Sequence, residues 1–276
     1  MDKLRFGTAG VPISTKQHIT LEGIRQARAL GLECMELEFV RNVNITKEKA
    51  PELKKTAQEE NVALTCHGQY FVNLNGKEKS VIEESKKRML HASERAYECG
   101  AGSIAFNLGY YLGMEKESVY ETIKKQVTEV ANALTQQGTK IDLRGETTGK
   151  GTQFGDFNEL LKLSSEIENF WPCIDFAHHH ARYNGINNSY EEFADVLAKV
   201  EKVLGNEALK NMHIHIAGIA YSIKGERNHL NLNDSDMNYK ALIKAFKDFK
   251  IKGCVICESP NIEEDALMLK KEYGEL

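Results

Sequence analysis

Proline is scarce, at 4 in 276 residues, and tryptophan occurs once. No apolar run approaches the roughly 20 residues that a membrane-spanning helix requires. With so little proline and no low-complexity stretch there is no obvious linker, and one domain over residues 1–276 is expected. Neither sign of charge dominates: 36 Lys+Arg face 40 Asp+Glu, for a net charge of -4. That balance argues against coating nucleic acid by bulk charge, yet it leaves room for local phosphate contacts. The opening residues Met1-Asp2-Lys3-Leu4-Arg5 offer no apolar stretch for a secretory signal, so a cytoplasmic location is expected, with no membrane partner. Six cysteines without an export signal read as reduced, buried small hydrophobes. The Cys254-Val255-Ile256-Cys257 pair sits in an apolar run that reads as a strand. Residues three apart on a strand face opposite sides, and no second pair exists to complete a thiolate site.

What the chain does have is alternation. Short apolar runs recur at Leu4–Thr8, Cys34–Phe39, Asn61–Cys66, Ser103–Phe106, Lys140–Leu143, Pro172–Ile174, Met212–Ile214 and Gly253–Cys257. Between them lie stretches with helical spacing, such as Tyr120, Ile123, Val127, Val130 and Leu134. Ser80 with Glu83, Ser118 with Glu121, Ser189 with Glu192, and Asn261 with Glu264 suggest capped helix starts. Gly31 and Gly100 suggest helix stops. Strict alternation implies a parallel sheet, and eight units in this length imply a (β/α)8 TIM barrel. A doubly wound open sheet is less favoured, because no glycine-rich phosphate fingerprint follows the first strand.

A barrel of this kind places its chemistry at the C-terminal strand ends. Strands three to eight end at His67, Asn107, Glu146, Asp175, His215 and Glu258. With 9 histidines and 40 acidic residues among 276, five acids or histidines at six consecutive ends exceed scatter. Singly, each has a plain structural reading as a hydrogen-bonded core histidine, a helix cap or a salt bridge. Together they would crowd uncompensated acids, which is costly unless a cation neutralises them. Mixed nitrogen and oxygen donors suit zinc or manganese. Glu146 and Asp175, on neighbouring strands, suit a two-metal arrangement. His178 can face the same site as Asp175 from a strand-end turn, whereas His179 and His180 are not both expected to coordinate. Glu226 and His229 lie in a long polar loop after strand seven that reads as a lid. His213 reads as a core or supporting histidine one layer deeper, and His18 and His91 as surface or helix residues.

These motifs resemble the endonuclease IV family of metal-dependent apurinic/apyrimidinic endonucleases, within the xylose isomerase-like barrels and most like its archaeal branch. The matching pieces are His67-Gly68-Gln69-Tyr70-Phe71-Val72-Asn73-Leu74, Glu146-Thr147-Thr148-Gly149-Lys150-Gly151-Thr152, Asp175-Phe176-Ala177-His178, His213-Ile214-His215-Ile216-Ala217-Gly218 and Glu258-Ser259-Pro260. The resemblance implies a xylose isomerase-like TIM barrel holding two or three zinc ions, with manganese as an alternative. His67 and Glu146 would hold the first ion. Glu146, Asp175, His215 and Glu258 would hold the second, and His178 and His229 with Glu226 the third. It also implies base excision repair of abasic or damaged DNA, acting as a monomer. A metal-bridged hydroxide would attack the phosphorus 5′ to the lesion, with Glu146 and Glu258 as catalytic residues. Tyr70, Phe71 and Asn73 match DNA-contacting loop residues, and Arg41 stands near the family's DNA-inserting arginine.

Two departures stand out. Asn107 replaces the family's strand-four histidine, which weakens the first metal site. Glu226-Arg227-Asn228-His229 replaces a shorter Asp–any–His pair. A sugar isomerase or epimerase on one manganese ion, with Glu146 and Glu258 exchanging a proton, is the alternative enzyme. A non-catalytic binder of damaged DNA is the third reading.

Overall fold

The computed structural model describes residues 2–276. The elements follow in chain order: β1 (Leu4–Ala9), α1 (Thr20–Ala29), β2 (Cys34–Glu38), α2 (Ala50–Glu59), β3 (Ala63–His67), α3 (Lys79–Glu98), β4 (Ala101–Phe106), α4 (Lys116–Gln136), β5 (Asp142–Glu146) and α5 (Phe157–Glu166). Next come β6 (Phe170–Asp175), α6 (Phe176–Arg182), α7 (Tyr190–Leu204), α8 (Asn206–Leu209), β7 (Met212–Ile216), β8 (Gly218–Ser222), β9 (Gly225–Leu230), α9 (Tyr239–Asp248), β10 (Gly253–Cys257) and α10 (Glu263–Glu275). Eight strands close a barrel in the order β1-β10-β7-β6-β5-β4-β3-β2, and every pairing in it is parallel. The expected TIM barrel is therefore observed.

Alternation along the strands sorts side chains into two environments. Leu37, Leu64, Ile104 and Leu143 pack outward with Met89, Ile123 and Val127 of the helices. Ile174, Ile214 and Val255 do the same with Phe193, Leu197 and Phe246. Inside the barrel a small apolar cluster of Cys34, Cys254 and Ile256 lies beside polar residues. Arg144 is 2 % exposed, and its guanidinium donates to the Pro172 and Asn211 carbonyls and to Asp142. Above it lie His213, Glu36 and His215, all buried. The register sets Glu38 beside His67 and Asp175 beside His215 at the C-terminal end of the barrel. All six cysteines are buried and, among the described residues, none forms a disulfide.

The Ser189–Glu192 capping box is present on α7, and Asp156 with Glu159 forms a second on α5. The other expected boxes are not formed. Lys79 and Lys116 are already helical, which puts Ser80 and Ser118 inside the first turn rather than at the cap; Glu78 and Glu115 hold the cap positions without a side-chain bond. A capping serine has to sit in the extended conformation just outside the helix. The last helix likewise begins at Glu263, and the Asn261 amide is used instead on Asp265. The segment after strand seven is not a plain loop but an antiparallel hairpin of β8 and β9.

Candidate metal centre

The ends of β3 and β5, the residues following β4 and β10, His178 of α6 and two residues of β9 converge on one polar cavity of about 280 Å³. His67, Glu146, His178, Glu226, His229 and Glu258 line it, together with Tyr70, Asn107, Tyr110 and Lys150. A larger, mostly apolar hollow of about 720 Å³ lies beside β1 and β2, against α1 and α2. It carries none of the grouped ligands described next, so the smaller cavity is the chemical one.

Two ligand groups meet there. Glu146, Asp175, His215 and Glu258 each bring one donor atom to a common point, within 4.8 Å of one another. Asp175, His178 and His229 do the same beside it, so the groups share Asp175. The His178 and His229 Nε2 atoms are 3.3 Å apart. Glu226 is further out, its Oε2 3.7 Å from His178 Nε2. His67 is not part of either group; its Nε2 lies 3.2 Å from Glu146 Oε2.

Local folding explains these placements. The Asp175 side chain caps α6, its Oδ1 accepting from the His178 amide at 2.7 Å, which aims the His178 ring back over the strand end. Histidines 178–180 therefore belong to a helical turn and diverge. His179 packs against Phe157 and Tyr183. His180 is buried, with Nε2 3.1 Å from Asp236 Oδ1, and the Tyr221 hydroxyl donates to the other oxygen of Asp236. That link ties β8 to α6 and seats the hairpin that carries Glu226 and His229. Gly149 closes the cavity from the other side. Its carbonyl accepts from the Glu226 amide, and a Cβ there would come within 2.5 Å of Glu226 Cβ. Arg182 holds the segment after β5, donating to the carbonyls of Thr148, Lys150 and Gln153 and to the Thr148 hydroxyl.

Electrostatics follow from the geometry. Burial opposes ionisation of Glu146, yet hydrogen bonds from His178, His215 and His67 outweigh it and hold the carboxyl well below its usual range. Burial would lower His67, but Glu146 beside it lifts the imidazole to about 10. His178 and His215 are also raised against burial, by Asp175 and Glu146 for the first and by Cys173 and Glu258 for the second. Burial pushes Glu258 up. Asp175 Oδ2 is buried and faces His178 Nδ1 at 3.0 Å without a hydrogen bond. Buried acids and imidazoles with an unsatisfied oxygen, all nitrogen and oxygen donors, fit a zinc- or manganese-type ion.

Of the expected DNA-contacting residues, Tyr70 and Phe71 stand at the rim, 54% and 62% exposed, and the Tyr70 ring meets His67 edge-on. Arg41 is exposed on the segment after β2, outside the cavity lining. Asn73 is turned away from the cavity, its Oδ1 accepting from the Asn75 amide. His213 is a buried support, as expected. Sequence reading passed over Glu36 and Glu38. Burial and the nearby Glu36 push Glu38 up to about 8. The signal was available: two acids in alternation within an apolar strand must face the same side of it.

A closed parallel barrel with histidines and carboxylates grouped at its C-terminal mouth defines the class of protein. Residues 24–272 match the xylose isomerase-like TIM barrel family, and the chain belongs to it. It is 45% identical to an uncharacterized protein of Methanocaldococcus jannaschii, over 99% of this chain and 98% of that one. It is 26% identical to a probable endonuclease 4 of Bacillus subtilis, over 98% and 92%. Among solved structures it resembles endonuclease IV from Thermus thermophilus, with a TM-score of 0.74, 19% identity and coverage of 99% and 100%. A D-tagatose 3-epimerase-like protein fits equally well, with a TM-score of 0.74, 16% identity and coverage of 98% and 97%.

Proposed function

We propose that this chain is a metal-dependent phosphodiesterase of the endonuclease IV type, cutting DNA 5′ to an abasic sugar. The observation that carries this reading is the pair of ligand groups sharing Asp175. A one-ion sugar isomerase needs only the first group and leaves Asp175–His178–His229 without a purpose. Glu146, Asp175, His215 and Glu258 would hold one ion and Asp175, His178 and His229 another, with Glu226 alongside. Zinc or manganese ions bound there would supply an acidified water and neutralise charge on the phosphate. Glu258, raised by burial, is suited to orient that water and take its proton. Tyr70 and Phe71 offer exposed rings on which an unpaired base or sugar can stack. Arg41 supplies a positive charge for the flanking backbone.

The test is nicking of a duplex with one synthetic abasic site, with metal content measured in parallel. EDTA-sensitive cleavage 5′ to the site, with two or more ions per chain, is expected. No cleavage with a single ion per chain would overturn the reading. One observation favours the epimerase alternative: Asn107 Nδ2 lies 2.6 Å from Glu146 Oε2, where the nuclease family has a metal-binding histidine. On that reading Glu146 and Glu258 exchange a proton on a keto-sugar held by one ion, and a ketose screen would detect it.

A further inference from the structure

Glu36 lies at the centre of β2, fully buried, beneath the acid cluster rather than within it. Each of its oxygens lies 2.8 Å from a different imidazole nitrogen, Oε2 from His213 Nε2 and Oε1 from His215 Nε2, as ion-pair contacts without aligned hydrogen bonds, and the two Nε2 atoms lie 3.2 Å apart. His213 is anchored at its other nitrogen, Nδ1 lying 3.1 Å from the Ser103 hydroxyl. The other nitrogen of His215 points upward. Its Nδ1 is 3.3 Å from Glu146 Oε1 and 3.5 Å from Glu258 Oε1, in the first ligand group.

A neutral imidazole carries one N–H and one lone pair. A carboxylate can only accept, so the nitrogen facing it carries the hydrogen. We infer that Glu36 is a positioning residue of the metal centre. Its carboxylate charge beside Nε2 of His215 holds the proton on that nitrogen and thereby selects the tautomer whose Nδ1 lone pair faces Glu146 and Glu258. Without it, the acids above favour the opposite tautomer of His215. Their oxygens would draw the proton to Nδ1 and turn the lone pair away from the ligand group. His213, held by Ser103, occupies the second oxygen and stops the carboxylate from swinging off His215.

This inference rests on the reading that His215 is a metal ligand, and not on which reaction the centre performs. The test uses the full chain, ¹⁵N-labelled at histidine and loaded with zinc or with cadmium-113. His215 is expected to show a protected Nε2–H and to couple to cadmium through Nδ1. Zinc affinity, from chelator competition, is expected to fall roughly 10–100-fold in Glu36→Met, as for loss of other supporting carboxylates. Glu36→Asp is expected to recover part of that loss. Coupling through Nε2, or unchanged affinity in Glu36→Met, would overturn the role of Glu36 alone, and the wild-type spectrum gives that answer even if the variant does not fold. Wild-type protein that takes up neither ion would instead overturn the metal-centre reading beneath it.

Discussion

Asn107 donates its side-chain amide to Glu146 Oε2 at 2.6 Å, and His67 Nε2 approaches the same oxygen at 3.2 Å. The amide thus satisfies an oxygen that, in the nuclease family's pattern, would share an ion with His67 and a strand-four histidine. An amide nitrogen has no lone pair to give a metal. On the proposed reading, His67 and Glu146 would then supply only two donors for an ion at that position. Asn107→His restores the third donor at that strand end. The expected outcome is one additional zinc ion per chain over wild type, read by elemental analysis after dialysis. Unchanged stoichiometry would show that the surrounding loops, and not residue 107, set the ion count.

The barrel was legible because helical and strand periods alternate without interruption, and the strand-end residues fell where the closed sheet places them. Glu146, Asp175, His215 and Glu258 were found this way, His178 by its spacing from Asp175 and His229 in the polar loop after strand seven, and they meet. What escaped depended on longer-range geometry. Glu36 and Glu38 alternate in an apolar strand, which marks their shared face, but the partners of Glu36 lie on a strand more than 170 positions away. Asn73 was expected at the DNA because it sits in the His67 motif, but the turn that follows claims its side chain. The hairpin of β8 and β9 was hidden because β9 is mostly polar and the short apolar run of β8 follows directly on β7, so it reads as the end of strand seven.

Glu146→Gln removes the charge that three imidazoles share. Loss of at least one ion per chain and loss of abasic-site nicking by more than about 100-fold are expected, with the circular dichroism spectrum unchanged. The metal-free variant supplies a sharper sign. His67 is lifted to about 10 against burial chiefly by its bond to Glu146. Its titration, followed by NMR, should therefore move down. A His67 that still titrates near 10 would assign the lift to other acids.

Arg182 is buried among carbonyls, donating to Thr148, Lys150 and Gln153. Arg182→Ala would leave those acceptors unpaired at the cavity wall. Destabilisation on the order of 3 kcal/mol is expected from urea unfolding, by the logic of breaking a buried charged network. Metal affinity should fall with it, because Gly149 in the same segment bonds the hairpin through Glu226. A variant of wild-type stability would mean that water replaces the guanidinium.

His179 is buried against Phe157 and Tyr183, and burial lowers its imidazole to about 4. The unfolded chain binds that proton near pH 6.5, so between the two values the unfolded state holds more protons than the folded one. The neutral ring's contribution is complete above about pH 6.5 and is lost as the pH falls towards about 4. The slope for one such group is about 1.4 kcal/mol per pH unit. His213 is lowered to about 4 as well, so wild type carries at least two such groups. His179→Gln removes one of them. Unfolding free energies of the metal-free proteins, taken by urea titration at several pH values from about 7 down to about 4.5, should show a shallower acid loss in the variant. Parallel curves would mean that His179 takes up its proton without leaving the fold.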